Sequence, residues 1–453
     1  MLKRTISLAL LASAMVTSVF ADAAGKGASL PTLSINGNTV MNAYIAHNSA
    51  KNNDTKRDYH LANDVSDLYF LIKGRMSNGI EYGYKMGIQS FSGSNPVFQQ
   101  NYIEFNGKFG TFQVGNVVGP EDSMIEDGGA IVGGTGAFDG GYYNAALLPA
   151  FVMRGNDNIG DTGYATKLAY YTPSLYNVRF GIAFTPDTSK RGDDGADKAQ
   201  NTNPNAPGNR AFLPNKRLYP YDLNSFAFGL SFKKEWNNWG FNLNGAYITG
   251  DAYYGAISDD EKGGPAATRT KARRTSAYQL GTVIGYRRQN GHLIQVGGGY
   301  LNNDKSRLEK TDGSIVDNNQ PLKSYVNRGS NTTAPISFGN LYQGNSGQAW
   351  NAALGYVMGI YKFSASYQGT ERKTDATNKA RSNLFSVTAD VVPVGGLKFY
   401  VEADYLRARS NAAAVATAGS LASFKNDTPQ RAINNQVQSN NATVVIIGTK
   451  VSF

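Results

Sequence analysis

IEYGYKMGIQSF, residues 80–91, alternates apolar and polar side chains with a period of two. Successive side chains of a strand point to opposite faces. Ile80, Tyr82, Tyr84, Met86 and Ile88 therefore share one face, and Glu81, Lys85 and Gln89 the other. The stretch before it, LYFLIKGRM (68–76), sets Leu68, Phe70, Ile72 and Met76 against Lys73 and Arg75. Only Ser77-Asn78-Gly79 joins the two, which is a tight turn. An apolar, aromatic face backed by a charged one is the pattern of a strand with lipid on one side and water on the other.

Outward from this hairpin the same period recurs along the chain. A first strand runs over LSINGNTVMNAYIAHN (33–48), and a fourth and fifth over about 100–106 and 109–116. The sixth spans Tyr164–Tyr171, the seventh is VRFGIAFTP (178–186), and the eighth carries Phe226, Phe228, Leu230 and Phe232 on one face. Seven more follow: FNLNGAYITG (241–250), 276–286, 293–301, AWNAALGYV (349–357), YKFSASYQG (361–369), LFSVTADVV (384–392) and LKFYVEADYL (397–406). The last is ATVVIIGTKVSF (442–453). That makes sixteen strands joined by eight long connections interleaved with seven short ones. Both chain ends then lie on the short-turn side, as in outer-membrane barrels. Closing the sheet also removes the edge strands that would aggregate. The fold class is all-β: a transmembrane antiparallel barrel of 16 strands. Tyr247, Tyr300, Tyr367 and Tyr405 fall near the external strand ends, and Phe109, Phe241, Phe399 and Phe453 near the turn ends. Two aromatic belts at the membrane interfaces follow from that placement.

Composition agrees. The 453 residues include 51 Gly, 27 Tyr and 22 Phe, and mean hydropathy is below zero. No linker or change of texture divides the chain into several soluble domains. Lys3 and Arg4, the apolar run Ile6–Phe20 and the small residues of Ala21-Asp22-Ala23 read as a signal peptide over 1–23. The exported barrel domain is then 24–453. Cysteine is absent, which removes disulfides and thiolate chemistry. Net charge is +10, scattered rather than gathered into a run. That argues against nucleic acid and for a surface meeting anionic lipopolysaccharide, or for a lumen with some attraction for anions.

The connection after the fifth strand, about 116–162, has no sustained period and is rich in Gly. An insert of this length inside a compact fold is functional or disordered. Between membrane-embedded strands it reads as a loop folded inward to narrow a pore.

FGTFQVGN (109–116), YATKLAYYTPSLYNVRFGIAFTPD (164–187), the alternate Val445, Ile447, Val451 and Phe453, and the leader together resemble the Gram-negative general porins, most of all their alphaproteobacterial members. The resemblance implies a homotrimeric channel in the outer membrane, passing small hydrophilic solutes by passive diffusion, with no enzyme cycle and no cofactor or metal. Its terminal residues Val445, Ile447, Val451 and Phe453 become the signal read by the barrel-assembly machinery. Mapped onto this chain, the family eyelet places acids on the loop at Glu121, Asp122, Glu126, Asp127 and Asp139. Bases on the facing wall become Lys73, Arg75 and Lys85, with Arg154, Lys167 and Arg179 behind them. The loop lacks the Pro-Glu-Phe-Gly run of the enteric members.

Three other readings are weighed against a general channel: a barrel enzyme, a channel selective for anions such as phosphate or for sugars, and an adhesive or structural barrel. The last would have a lumen filled by bulky residues, where many inward positions here are Gly, Ala, Ser and Asn. A barrel enzyme needs a nucleophile with a base beside it. The three histidines fall at or beyond the outer end of the first strand (His47, His60) and at a short turn (His292), with no shared ligand spacing. GDDGADK (192–198) and DDEK (259–262) offer carboxylates to Ca²⁺ without the spacing of a calcium loop. A selective channel for anions needs a ladder of bases at the eyelet. One for sugars needs a line of aromatics on the lumen face, and Tyr171 and Tyr400 are too few to make it.

Overall fold

A computed structural model describes residues 28–50, 58–90, 97–136, 138, 140–149, 152–153, 162–188, 221–254, 270–271, 274–303, 310–311, 314–315, 347–373, 379–410 and 439–453. The proposed leader and the two acidic stretches at 192–198 and 259–262 lie outside them.

Sixteen strands form one closed antiparallel sheet. They are β1 (Ser29–Asn48), β2 (Tyr59–Arg75), β3 (Glu81–Ser90), β4 (Val97–Gly107), β5 (Gly110–Asn116), β6 (Thr166–Tyr171), β7 (Val178–Asp187) and β8 (Tyr221–Trp236). The second half comprises β9 (Trp239–Tyr254), β10 (Thr275–Arg287), β11 (Leu293–Asn302), β12 (Gln348–Met358), β13 (Tyr361–Lys373), β14 (Lys379–Val394), β15 (Leu397–Ser410) and β16 (Ser439–Ser452). Thr270–Lys271 continues the pairing with the end of β9. Each strand pairs with its sequence neighbours, and β1 pairs with β16 from Asn38↔Ser452 to Asn48↔Ala442. Closure leaves every strand hydrogen-bonded on both sides, which a hydrocarbon environment demands. No helix among the described residues is long and apolar enough to cross a membrane; the strands are what span.

The two faces follow the sequence period. Met41, Ile45, Leu230, Leu243, Leu280, Val296, Leu354 and Val387 are exposed on the outside of the barrel. Inward positions of the same strands are small or polar. Outward rings pack at both rims: across strands, Tyr278 with Tyr300 and Tyr367 with Phe385 on one and Trp239 with Tyr286 on the other, where Phe241 of the same strand also stacks on Trp239. At the seam, Phe453 N–H donates to Gly37 O and Gly37 N–H to Phe453 O, each at 3.0 Å. The outward face of β16 carries Val445, Ile447 and Val451, ending on Phe453, as the alternation predicts.

The largest boundary shift from the sequence reading is in β2, which begins at Tyr59 rather than Leu68, because the polar stretch LANDVS pairs with β1 through a bulge between Val40 and Met41. His60 therefore sits within β2, its ring stacked 4.5 Å from that of Tyr44.

Candidate functional site: a loop latched to the lumen wall

The described residues of the connection between β5 and β6 (117–136, 138, 140–149, 152–153 and 162–165) pack against inward residues of the barrel wall. The connection opens with one helical turn, α1 (Pro120–Ser123), with Pro at its start and Glu121 and Asp122 in the first turn, where carboxylates suit the N-terminal dipole. Ser123 Oγ donates to Gly119 O at 2.9 Å and lies 2.9 Å from the Tyr171 hydroxyl. Met124 then packs on Ala169, Ala183, Ala227, Ile248 and Ala277, inward residues of β6–β10.

The predicted acids come next, and several of them hold the loop. The Glu121 carboxylate is buried and accepts from Thr162 N–H at 3.2 Å and Thr162 Oγ1 at 2.5 Å, closing the base of the loop on itself. Burial pushes the Asp122 carboxyl up from its ordinary value; neighbouring Glu121 adds to the effect and Lys167 opposes it. Glu126 is ion-paired with Lys233 and accepts from Asn242, while its backbone carbonyl takes Asn244 Nδ2 at 2.7 Å. Asp127 is buried; it caps Gly129 N–H at 2.8 Å and accepts from Asn351 Nδ2 at 2.7 Å. Asn351 answers by accepting from Gly128 N–H at 3.0 Å. Asp139 lies outside the described residues.

Beyond the 3-10 turn Gly128–Ile131 the wall supplies the charges. Gly133 N–H donates to Ser364 Oγ at 3.0 Å, Gly134 N–H to Asp390 at 2.8 Å and Thr135 N–H to Glu402 at 2.6 Å. In return Lys362 Nζ donates to Val132 O at 3.1 Å and Lys398 Nζ to Gly134 O at 2.7 Å. Gly134 has φ +63 and lies hard against the Glu402 carboxylate, so a side chain there meets both a strained backbone and a filled space. Wall carboxylates thus satisfy loop N–H groups and wall ammoniums satisfy loop carbonyls, as buried backbone requires.

A second 3-10 turn, Gly141–Asn144, lies against β16, β1 and the outer part of β2. Tyr142, Ala146 and Leu148 pack with Tyr44, Leu384, Leu406, Val444 and Ile446. Asn144 Nδ2 donates to Asp64 at 3.0 Å, Leu147 N–H to Asn48 Oδ1 at 2.9 Å, and Asn440 Nδ2 to Leu147 O at 2.8 Å. Tyr400, deeply buried here, donates to Asn42 Oδ1 at 2.5 Å. Inward glycines clear this track. Gly181 and Gly229 face Pro120 and Met124, Gly281 faces the Glu126 carbonyl, and Gly299 faces Asp127.

The predicted bases divide. Lys167 is buried and donates to the carbonyls of Val117 and Gly163, tying the two limbs of the loop. Arg179 lies 5.1 Å from the Tyr171 ring and donates Nε–H to Thr172 O at 3.2 Å. Lys85 Nζ stands 4.6 Å from the Tyr69 ring on the open lumen wall. Arg75 pairs with Glu81 at 3.7 Å at the short-turn rim, where both are more than half exposed, and Lys73 is exposed one row further in. Arg154 lies outside the described residues. Lys233, Lys362, Asp390 and Asn351, which hold the loop, were not singled out by sequence. Their only signal is inward parity, which they share with many other positions. His292 is bound to the Tyr356 hydroxyl at 2.6 Å.

The described part of the loop therefore contacts the wall from β6 round to β1, and the lumen faces of β2–β5 lie opposite. Comparison with known proteins fits this geometry. A family model described as Gram-negative porin matches residues 8–427. An uncharacterized protein, RP068, of Rickettsia prowazekii is 23% identical over 426 residues, covering 83% of this chain and 81% of that protein. Among solved structures, an anion-selective porin from Comamonas acidovorans is 12% identical, covered over 93% of this chain and 100% of its own, with TM-score 0.51. The trimer form of OmpT, an outer membrane protein of Vibrio cholerae, is 11% identical over 93% of this chain and 99% of its own, with TM-score 0.50. These last two likenesses are of fold.

Proposed function

The chain belongs to the Gram-negative porin family and forms an outer-membrane channel, and on that premise we propose that it passes small hydrophilic solutes and ions by general passive diffusion as a homotrimer. The observation that carries this reading is the latched loop. Its described contacts run along the inner wall from β6 round to β1, which makes β2–β5 the wall facing it. On the loop side, Glu126 paired with Lys233 keeps carboxylate surface toward water. Across from it stand Lys85 and Lys73, with Glu104 and Asp67 near them. Opposed charge across a constriction orients polar solutes and sets ion preference.

Export through a cleaved leader over 1–23 is part of the same proposal, as is recognition of Phe453, Val451, Ile447 and Val445 by the assembly machinery. External loops meeting lipopolysaccharide complete it. No catalytic step is assigned. In a planar bilayer the purified, detergent-folded protein is expected to give large ohmic steps arriving in threes. The reversal potential under a salt gradient then reads the sign of selectivity. A folded barrel that gives no steps overturns the diffusion reading.

A further inference from the structure

The lumen faces of β2–β5 carry a feature that general diffusion leaves unused. Cross-strand register places Leu71, Lys85, Tyr102 and Gly115 in one inward row, and Tyr69, Gly87 and Gln100 in the next. The Tyr69 ring lies across Gly87, where a Cβ would stand 2.8 Å from its Cε1. Tyr102 is flanked by Gly115, where a Cβ would stand 2.8 Å from the Tyr102 Cα. Both rings keep part of their surface open, whereas Tyr171 and Tyr400 are buried under the loop. Tyr164, on the returning limb of the loop, lies within electrostatic reach of Tyr69.

Hydrogen-bonding groups frame these rings. In the row beyond Tyr102, Glu104 accepts from Gln113 Nε2 and from Asn106 Nδ2, each at 2.6 Å. Lys85 stands over Tyr69 within reach of both Glu104 and Asp67. Lys73 and Lys85 are matched in number by Asp67 and Glu104, so the patch favours neither sign of ion. What it offers is two partly open aromatic rings on neighbouring inward rows, edged by an ammonium, a carboxylate and amides.

A sugar ring presents the complement: a C–H face that stacks on an aromatic, and hydroxyls at its rim that both donate and accept. We propose that the β2–β5 lumen wall is a binding subsite for neutral carbohydrates, with Tyr69 and Tyr102 stacking and Lys85, Glu104 and Gln113 pairing with hydroxyls. This deepens the channel reading and rests on it.

The test is the ion current of the full-length channel in a planar bilayer with maltotriose added, against polyethylene glycol of similar mass. Maltotriose is expected to block saturably, and the polymer only in proportion to its concentration. Tyr69→Leu and Tyr102→Leu keep apolar bulk on the wall without a π face. Each is expected to raise the half-blocking concentration roughly five- to tenfold while ion steps persist. Tyr69→Phe and Tyr102→Phe are expected to keep the block. Conducting channels whose block by maltotriose matches the polymer, or is unchanged in both Leu variants, overturn the subsite and leave the channel standing. Absence of ion steps in the unsubstituted protein overturns the channel reading, and the subsite with it.

Discussion

Glu121 and Asp122 are adjacent acids on one helical turn with separate tasks. Glu121 is consumed by Thr162, while Asp122 is partly buried with that carboxylate beside it. Folding thus raises the Asp122 pKa from its ordinary 3.8. An acid whose pKa is raised by folding binds its proton more tightly in the folded state. Its contribution is most favourable below 3.8 and declines as pH climbs from there through the raised value. Asp122→Asn removes that decline. Its melting temperature is expected to match the parent near about pH 3 and exceed it near about pH 8. A variant less stable than the parent at both ends sinks the argument. Sequence placed these acids on the long connection but could not say which is bonded. Their partners, Thr162 and Lys167 among them, meet them only through the fold.

Among elements, the loop is held by complementarity between its backbone and inward wall residues. The wall gives way to it at glycines. A Cβ at Gly281 would press into the Glu126 carbonyl, backbone that cannot swing aside as a side chain does. Gly281→Val is therefore expected to weaken loop docking by about 1–3 kcal/mol and raise single-channel conductance, with the barrel still heat-modifiable on gels. Unchanged conductance would show that the wall absorbs the added bulk. The inward parity of these glycines is plain in the sequence, yet nothing local distinguishes a glycine that clears a path from one that merely lines water. The apolar inward pair Val444 and Ile446 poses the same problem. Both break the polar-to-lumen rule, and the reason is Tyr142, Ala146 and Leu148 arriving from far along the chain.

Across the whole molecule, stability depends on a seam joining the first and last strands. Phe453 pairs with Gly37 through two backbone hydrogen bonds, and its ring fills the space beside that glycine, where a Cβ would come within 2.6 Å of Cζ and 2.7 Å of Asp67 O. Gly37→Val forces both the ring and the strand aside at the step that closes the barrel. At a cost of about 1–3 kcal/mol, it is expected to lower the yield of heat-modifiable barrel on refolding. A parental yield would detach the ring from closure.

The sequence alone determined what depends on neighbours a few residues away. Period-two alternation gave the sixteen strands, their facing and the alternation of short turns with long connections. It also marked the long connection after β5 as the exception. Strand geometry is local, and water and lipid sort side chains by polarity wherever the strand lies. Only the tertiary structure decided where that connection runs and which charges it spends. Asp127 with Asn351, Thr135 with Glu402 and Asn144 with Asp64 are contacts between distant segments. They exist because closing the barrel brings those segments to one lumen, where buried backbone N–H groups need partners.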